Sequence, residues 1–491
     1  MLLSELIRVI PVQETAVPDI EIGRIEYNSR KADADCLFVC LVGARADGHD
    51  YAMHAYRNGC RAFLVSKEID LPADAITVTT EDTRAALSAL SAAFYGYPAE
   101  KLTLIGVTGT KGKTTTSLLI SAILNGAGLP CAYIGGNGVI WNGHRIETVN
   151  TTPESRDLHG FFAQMVRDGI RYVAMEVSSQ ALAHHRVDGL TFDTVVFTNL
   201  SPDHIGEGEH PTFEHYAASK ARLFTKHGAK HAVYNADDPQ WHDILGNCKS
   251  AKISCGIFTE ADFTAAEIAP YRDRTTLGIR FDAKTPGGSG KITVCSPGTF
   301  SVQNALEAIA VASVYGVSVA SCARVLAKTP VLGRFEIVEG IPGRTFIIDY
   351  AHNGMSLSHA LTALREYAPN RLICVFGSVG GRTQERRREL GEAASALADF
   401  CIVTSDNPDF EDPNAIIAEI LSHMHPDCPR IAYADRETAI RHAVRMSEDG
   451  DIVLFAGKGH ETFQLIEGRK VPFSEREIIL NECAILLDEI E

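Results

Sequence analysis

Gly106-Val-Thr-Gly-Thr-Lys-Gly-Lys113-Thr114-Thr115-Thr116 is the stretch that decides how this chain is read. Leu102 to Val107 reads as a short buried strand, and Thr114 to Leu124 as the start of a helix with apolar periodicity. A glycine-rich turn between such elements lets successive backbone N–H groups converge on a phosphate. The helix dipole adds its own preference for an anion at that point. Gly109, Thr110, Lys111 and Gly112 would form the cradle, and Lys113 would reach the outer phosphates. Thr114 and Thr115 would offer hydroxyls, that of Thr114 to a magnesium ion. Five residues separate Gly106 from Gly112 where the common phosphate loop has four, so this is a variant of it. The expectation is an ATP site.

The chain has 491 residues, which predicts about three domains. A hydrophobic content of 45% with 22% charged residues supplies ample core. The net charge of −16 argues against a nucleic-acid or anionic-membrane partner, so anionic ligands must be met by local Lys and Arg clusters. Twelve cysteines occur without a C-x-x-C pair, which suggests neither a zinc framework nor a disulfide scaffold. Met-Leu-Leu-Ser-Glu lacks a basic region before an apolar run, and no run of 18 apolar residues occurs. A cytoplasmic, monomeric protein with reduced thiols is expected.

In chain order, the pattern predicts an α/β protein with three domains. Residues 1–98 form a small α/β domain, in which polar loops at Asn28-Ser29-Arg30 and Asp47-Gly48-His49 border strands. Taken alone these loops read as solvated turns or as ligand-binding edges. Residues 99–328 hold the phosphate loop and a parallel sheet. Asn150-Thr151-Thr152-Pro153-Glu154 is a polar turn whose hydroxyls serve a ligand or cap the next helix. The strand from Arg171 ends in Glu176-Val-Ser178-Ser179, where a carboxylate beside a phosphate-loop strand suits a magnesium ligand or a water-orienting group. A third strand, from Asp193, ends in Asn199-Leu-Ser-Pro-Asp203-His204. Lys220 lies on a helix, and spacing alone reads it as solvated. The polar–apolar alternation from Ala261 to Val294 predicts an antiparallel patch. Residues 329–491 alternate strands and helices as a Rossmann-like domain. Its strands empty into Asp349-Tyr-Ala-His352, Gly377-Ser-Val-Gly-Gly-Arg382, Asp406-Asn407-Pro408-Asp409 and Gly457-Lys-Gly-His460-Glu461.

The order of these motifs resembles the Mur ligases, ATP-dependent amide-forming enzymes of peptidoglycan synthesis. The matching elements are the phosphate loop, Thr151-Thr152-Pro153, Glu176-Val-Ser178-Ser179, Asn199-x3-Asp203-His204, Lys220-x2-Leu-Phe224, Gly333-Arg334-Phe335, Asp349-Tyr-Ala-His352 and Gly457-Lys-Gly-His460-Glu461. Thr151-Thr152-Pro153, Asp406-Asn407-Pro408 and the terminal Gly-His-Glu resemble the branch that adds the third stem-peptide residue to UDP-N-acetylmuramoyl-L-alanyl-D-glutamate. Folylpolyglutamate synthase shares the architecture, but it would not explain the two N-terminal motifs.

The resemblance implies a role for each matched residue. Lys113, Glu176, His204 and Lys220 would be catalytic, with Thr114, Glu176, His204 and a carbamate formed from Lys220 and carbon dioxide holding two magnesium ions. Asn304, Arg334 and Asp349 would bind ATP together with the phosphate loop. Ser29, Arg30, His49, Asn150, Thr151, Thr152, Ser178, His184 and Arg186 would bind the UDP-muramoyl dipeptide. Arg382, Asp406, Asn407, Asp409, Gly457 and Glu461 would bind the acceptor amino acid.

Some positions depart from the family. Lys111 stands where asparagine is common, and His184 where glutamine is. Arg382 follows Gly-Ser-Val-Gly-Gly rather than Gly-x-Gly-Gly-Asp, and the loop after His204 differs. Asp409 stands where members adding meso-diaminopimelate carry an arginine for the distal carboxylate. Its negative sign predicts L-lysine as acceptor, with diaminopimelate as the alternative if Arg386, Arg387 or Arg388 substitutes. A folate-type ligase and a nucleotide-binding homologue without turnover are the remaining readings.

Overall fold

The computed structural model describes residues 1–491 except 14–16, 44–45, 204, 207–208, 273–276, 332, 382–383, 491 and the side chain of Ile490. The chain forms two compact units. One contains Met1–Thr264, Thr285–Gly288 and Leu306–Cys322; the other contains Ala265–Lys284, Ser289–Ala305 and Ala323–Glu491.

The first unit begins with a four-stranded parallel sheet, Arg24–Glu26, Cys36–Val39, Ala62–Val65 and Ile76–Thr79 in that order. Its main sheet runs in parallel from Ala251–Gly256 through His231–Asn235, Thr194–Phe197, Thr103–Thr108 and Tyr172–Glu176 to Cys131–Gly135. Two antiparallel strands, Gly138–Trp141 and His144–Ile146, follow beyond Cys131–Gly135. The central strands are continuous apolar runs because helices cover both faces of such a sheet. Leu104, Val173, Val195 and Phe197 are fully or almost fully buried in its core with Leu158, Phe162 and Met165. Side chains of this size contribute roughly 1.5–3 kcal/mol each on burial.

Thr103–Thr108 therefore lies between Tyr172–Glu176 and Thr194–Phe197. This order sends the ends of three neighbouring strands, at Thr108, Glu176 and Phe197, to one edge of the sheet. The helix Lys113–Gly126 starts from Gly112, whose φ of 87° suits only a residue without a Cβ. It ends before Gly128 and Pro130, the usual composition of a helix stop. The region read as an antiparallel patch contains the strands Phe263–Arg272, Leu277–Thr285 and Gly288–Val294.

The second unit holds a six-stranded sheet, ordered Glu336–Val338, Thr345–Asp349, Ile452–Ala456, Leu372–Phe376, Phe400–Thr404 and Arg430–Tyr433. Only the first pairing is antiparallel. Its interior holds a buried arginine. Arg436 opens the helix Arg436–Met446 with no solvent exposure, and its guanidinium donates to Glu475, to Ser405 O at 3.1 Å and to Ala456 O at 2.8 Å. It thus ties two strand ends to the helix Glu475–Ile490. Removing one partner of a buried pair leaves the other charge uncompensated, at a cost of about 3–5 kcal/mol. Arg436→Met should lower the unfolding free energy measured in urea by an amount of that order, moving the midpoint down, and Arg436→Met with Glu475→Gln should recover part of it. An unchanged midpoint in the single variant would show that the pair does not hold the strand ends.

Candidate functional site

The phosphate loop is braced from the Thr194–Phe197 side. Thr110 N–H donates to Asn199 O at 2.8 Å, and Lys111 N–H to Asn199 Oδ1 at 2.9 Å. Asn199 Nδ2 and Thr198 Oγ1 both donate to Lys111 O. Gly109 has to be glycine, because a Cβ there would lie 1.9 Å from Thr198 Oγ1 at a φ of 152°. Lys111 pairs with Asp203 at 3.1 Å, so the residue that departs from the family meets an acid one strand away.

Two lysines converge on one carbonyl. Lys113 Nζ donates to Gly109 O at 2.9 Å and to Thr110 O at 3.0 Å. Lys220 Nζ, from the helix Phe213–Thr225, donates to the same Gly109 O at 2.7 Å. Lys220 is 1% exposed and sits 4.4 Å from the ring centre of Tyr216, one turn earlier on its helix. Burial and then the neighbouring Lys113 push its amine well below the usual lysine range, opposed by Asp203. Spacing alone reads Lys220 as solvated; the helix face that carries Tyr216 and Leu223 into the core carries it too.

Glu176 ends the adjacent strand at 1% exposure. Tyr133 Oη donates to its Oε1 at 2.7 Å and Gly136 N–H at 2.8 Å, while its Oε2 takes no hydrogen bond from a described residue. The Thr114 hydroxyl and Glu176 Oε1 lie 3.6 and 3.7 Å from the point where a Cβ on Gly136 would stand. Thr152, fully buried, donates to Glu176 O at 2.9 Å and accepts Ser178 N–H at 3.1 Å. Its hydroxyl fixes the strand end rather than capping the helix Ser155–Arg167. His204 lies outside the described residues.

The dipeptide candidates divide. Arg186 donates to Glu154 at 2.9 Å and to Thr152 O at 3.2 Å, and Arg84 pairs with the same Glu154 at 3.4 Å. His184 stands beside this cluster, its ring held below the usual histidine range by burial and by Arg84 and Arg186. Ser178 caps the helix Ser179–Ala183 by accepting Ala181 N–H. Asn150 and Thr151 are half-buried on the approach to Thr152. Arg84 lies in no recognisable motif, and Glu154, which closes the polar turn from Asn150, gives no sign in sequence of its two arginine partners. In the small N-terminal sheet Arg30 is exposed, and Ser29 is buried in the turn Ser29–Lys31. Both ring nitrogens of His49 are engaged, with Asp47 at 2.6 Å and with Ser66 N–H at 3.0 Å, so it shapes its loop from inside.

A second cluster stands at the strand ends of the other unit. Asp349 is buried and accepts the N–H groups of Phe335 and Ala351 at 2.9 and 2.8 Å. Burial pushes its carboxyl up and Arg334 draws it back; the Arg334 guanidinium lies 4.7 Å from the Tyr350 ring centre. Asn304 is buried in the helix Thr299–Val314. Gly457, with φ of 114°, passes so close to Asp406 that a Cβ would lie 2.8 Å from its Oδ2. Asn407 donates to Glu461 at 3.0 Å. Arg382 lies outside the described residues. Asp409, by contrast, has its carboxylate on Gly468 N–H at 2.7 Å and its backbone paired with Leu465 and Glu467.

Three family models match the chain: the Mur ligase family catalytic domain over residues 21–95, the Mur ligase middle domain over 107–312, and the Mur ligase glutamate ligase domain over 333–459. The chain belongs to the Mur ligase family. A UDP-N-acetylmuramoyl-L-alanyl-D-glutamate–2,6-diaminopimelate ligase of Caldanaerobacter subterraneus subsp. tengcongensis is 39% identical to it over 482 residues, 98% of each chain. One of Syntrophomonas wolfei is 38% identical over 97% of this chain and 98% of its own length. A solved structure described by the same enzyme name superposes with a TM-score of 0.68 at 27% identity, covering 98% of this chain and 99% of the other. This Mur ligase is thus an ATP-dependent enzyme that forms carbon–nitrogen bonds, built as the α/β fold of three family domains that its motif order implied. Among its described residues no helix is long and apolar enough to cross a membrane.

Lys113→Ala should lower kcat by at least about a hundredfold, some 2.7 kcal/mol of barrier, while leaving the melting temperature within a few degrees. Phosphate release from ATP and a thermal melt check both. Activity within about tenfold of the parent would remove Lys113 from phosphate handling.

Proposed function

We propose that this Mur ligase joins an amino acid to the D-glutamyl carboxylate of UDP-N-acetylmuramoyl-L-alanyl-D-glutamate by way of an acyl phosphate. The observation that carries this reading is the convergence of Lys113 and Lys220 on Gly109 O beside the strand-end carboxylate Glu176. The substrate carboxylate attacks the γ-phosphate of ATP and ADP leaves; the acceptor amine then attacks the acyl carbon and phosphate leaves. Both steps need positioning and charge neutralisation more than protein-borne covalent chemistry. The cradle from Gly109 to Thr115 would orient the triphosphate, with Lys113 on the transferring group. Arg84, Glu154 and Arg186 would set the dipeptide against Glu176.

Thr114 and Glu176 fit a magnesium ion. They supply few protein oxygens, and no group of three or more His, Cys, Asp or Glu gathers among the described residues. Magnesium takes its remaining ligands from water and phosphates, and when bound it would neutralise the phosphate charge. Lys220 fits the same reading as a carbamate. A buried ammonium about 4 Å from a second cation costs roughly 4 kcal/mol at an effective dielectric near 20. A neutral amine there can add carbon dioxide, losing one proton and becoming an anion. Lys220→Ala should be nearly inactive and should recover activity on addition of short carboxylic acids. Full activity without any additive would refute the carbamate.

For the acceptor, two facts favour meso-diaminopimelate over the L-lysine that the sign of Asp409 suggested. The relatives aligned over nearly the whole chain are named for 2,6-diaminopimelate. The Asp409 carboxylate is bound to Gly468 N–H in the turn joining Phe463–Ile466 to Arg469–Pro472, so part of its charge serves the fold. The arginines considered as substitutes are not simply available: Arg387 is held by Glu411 and Glu419, each at 2.6 Å, and Arg388 is paired with Glu385. Comparing kcat/KM for meso-diaminopimelate and L-lysine tests the assignment. A preference for lysine would restore Asp409 as the determinant, and Asp409→Arg should then raise the diaminopimelate to lysine ratio.

A further inference from the structure

Lys458 lies outside every role assigned so far. Its side chain has no solvent exposure, yet its ammonium touches two residues that reach the surface. Nζ donates to Asn407 Oδ1 at 2.8 Å and to Glu461 Oε2 at 2.8 Å, stands 3.7 Å from Asp406 Oδ1, and lies 5.5 Å from the ring centre of Phe463. An ammonium has only hydrogens to offer, so the atom of Asn407 that faces it must be the carbonyl oxygen. Leu465 N–H, donating to the same Oδ1 at 3.0 Å, makes the same demand. Asn407 Nδ2 is thereby turned to Glu461 Oε2, to which it donates one hydrogen at 3.0 Å.

The orientation has a consequence for recognition. Asn407 Nδ2 keeps a second hydrogen with no acceptor among the described residues, and Glu461 Oε1 keeps its lone pairs. A donor and an anionic acceptor therefore stand side by side on partly exposed side chains. That pair is complementary to a carboxylate and an ammonium on one carbon, the terminus of an amino acid. The amine that attacks the acyl phosphate must be unprotonated, so the gripped terminus belongs to the end that does not react. Diaminopimelate carries such a second zwitterionic terminus; lysine carries only an ammonium there.

We propose that Lys458 is a positioning residue that fixes the Asn407–Glu461 pair to read the unreacting amino-acid terminus of the acceptor. This rests on the reading of Asn407 and Glu461 as acceptor-binding residues. A residue that acts only on acceptor binding changes KM for that substrate and leaves kcat and the other KM values alone.

The test is steady-state phosphate release by the full chain, with meso-diaminopimelate or L-lysine varied at saturating ATP and UDP-muramoyl dipeptide. For Lys458→Met, KM for diaminopimelate should rise at least about tenfold, with kcat within about threefold and KM for ATP unchanged. The preference for diaminopimelate over lysine should shrink in parallel. If Lys458→Met does not fold, Lys458→Gln, whose amide can accept as well as donate and so no longer fixes which way Asn407 faces, carries the same comparison. An unchanged KM for diaminopimelate, a parallel rise in KM for ATP, or failure of both variants to fold would each overturn the proposal. Wild-type enzyme that releases no phosphate with any amino acid would overturn the ligase reading instead, and wild type that prefers lysine would overturn the second-terminus reading alone.

Discussion

The carbonyl oxygen of Gly109 is where the first unit's chemistry is concentrated. It accepts from Lys113, which belongs to the helix leaving the phosphate loop, and from Lys220, which belongs to a helix a hundred residues later. Two ammonium groups on one oxygen repel each other, and the interior that surrounds Lys220 strengthens the repulsion. Such an arrangement is stable only where charge is removed or opposed. Burial and the neighbouring Lys113 favour the uncharged amine at Lys220, which leaves Lys113 as the cation that can meet an anion. With a net charge of −16, the chain can meet an anion only where cations such as Lys111 and Lys113 gather locally.

That concentration depends on rigid strand ends. Glu176 is held through one oxygen by Tyr133 and Gly136, and Thr152 ties its backbone to the Ser178 turn. Asn199 and Thr198 brace the loop from the opposite side. Each brace uses a polar group that would otherwise be a candidate ligand. The distinction between a ligand and a brace is therefore geometric, and His49 and Thr152 fall among the braces because their polar atoms are already engaged inside the protein.

The strand, glycine turn and helix from Leu102 to Leu124 and the strand that ends at Glu176 were legible because each follows from local pattern: an apolar run, then a polar or glycine-rich turn, then a helix period. The carboxylate beside the loop strand was readable for the same reason. Lys220 was not readable from spacing, since helical position fixes a face but not what covers it, and only the motif match carried it. Arg84 and Tyr133 carried no signal, because their roles come from contacts 70 and 43 residues apart in sequence. Asp409 shows what the sign of a residue leaves out: its carboxylate accepts Gly468 N–H, a hairpin contact that its charge does not announce.

The second unit shows the same principle with the signs reversed. Asp406, Glu461 and Glu475 face Arg436 and Lys458, so three acids share two cations in and beside a buried space. Burial pushes the Asp406 and Glu475 carboxyls up, the response expected when anions lack full compensation. Asp406 Oδ1 and Glu475 Oε2 are buried without a hydrogen bond. A cluster short by one positive charge gains more from an ammonium than a neutral cluster would, and the gain is larger where water is excluded. On the proposed reading of this cluster, an amino-acid acceptor would bring that ammonium with it, and selectivity would rest on which buried groups hold Asn407 and Glu461 in place.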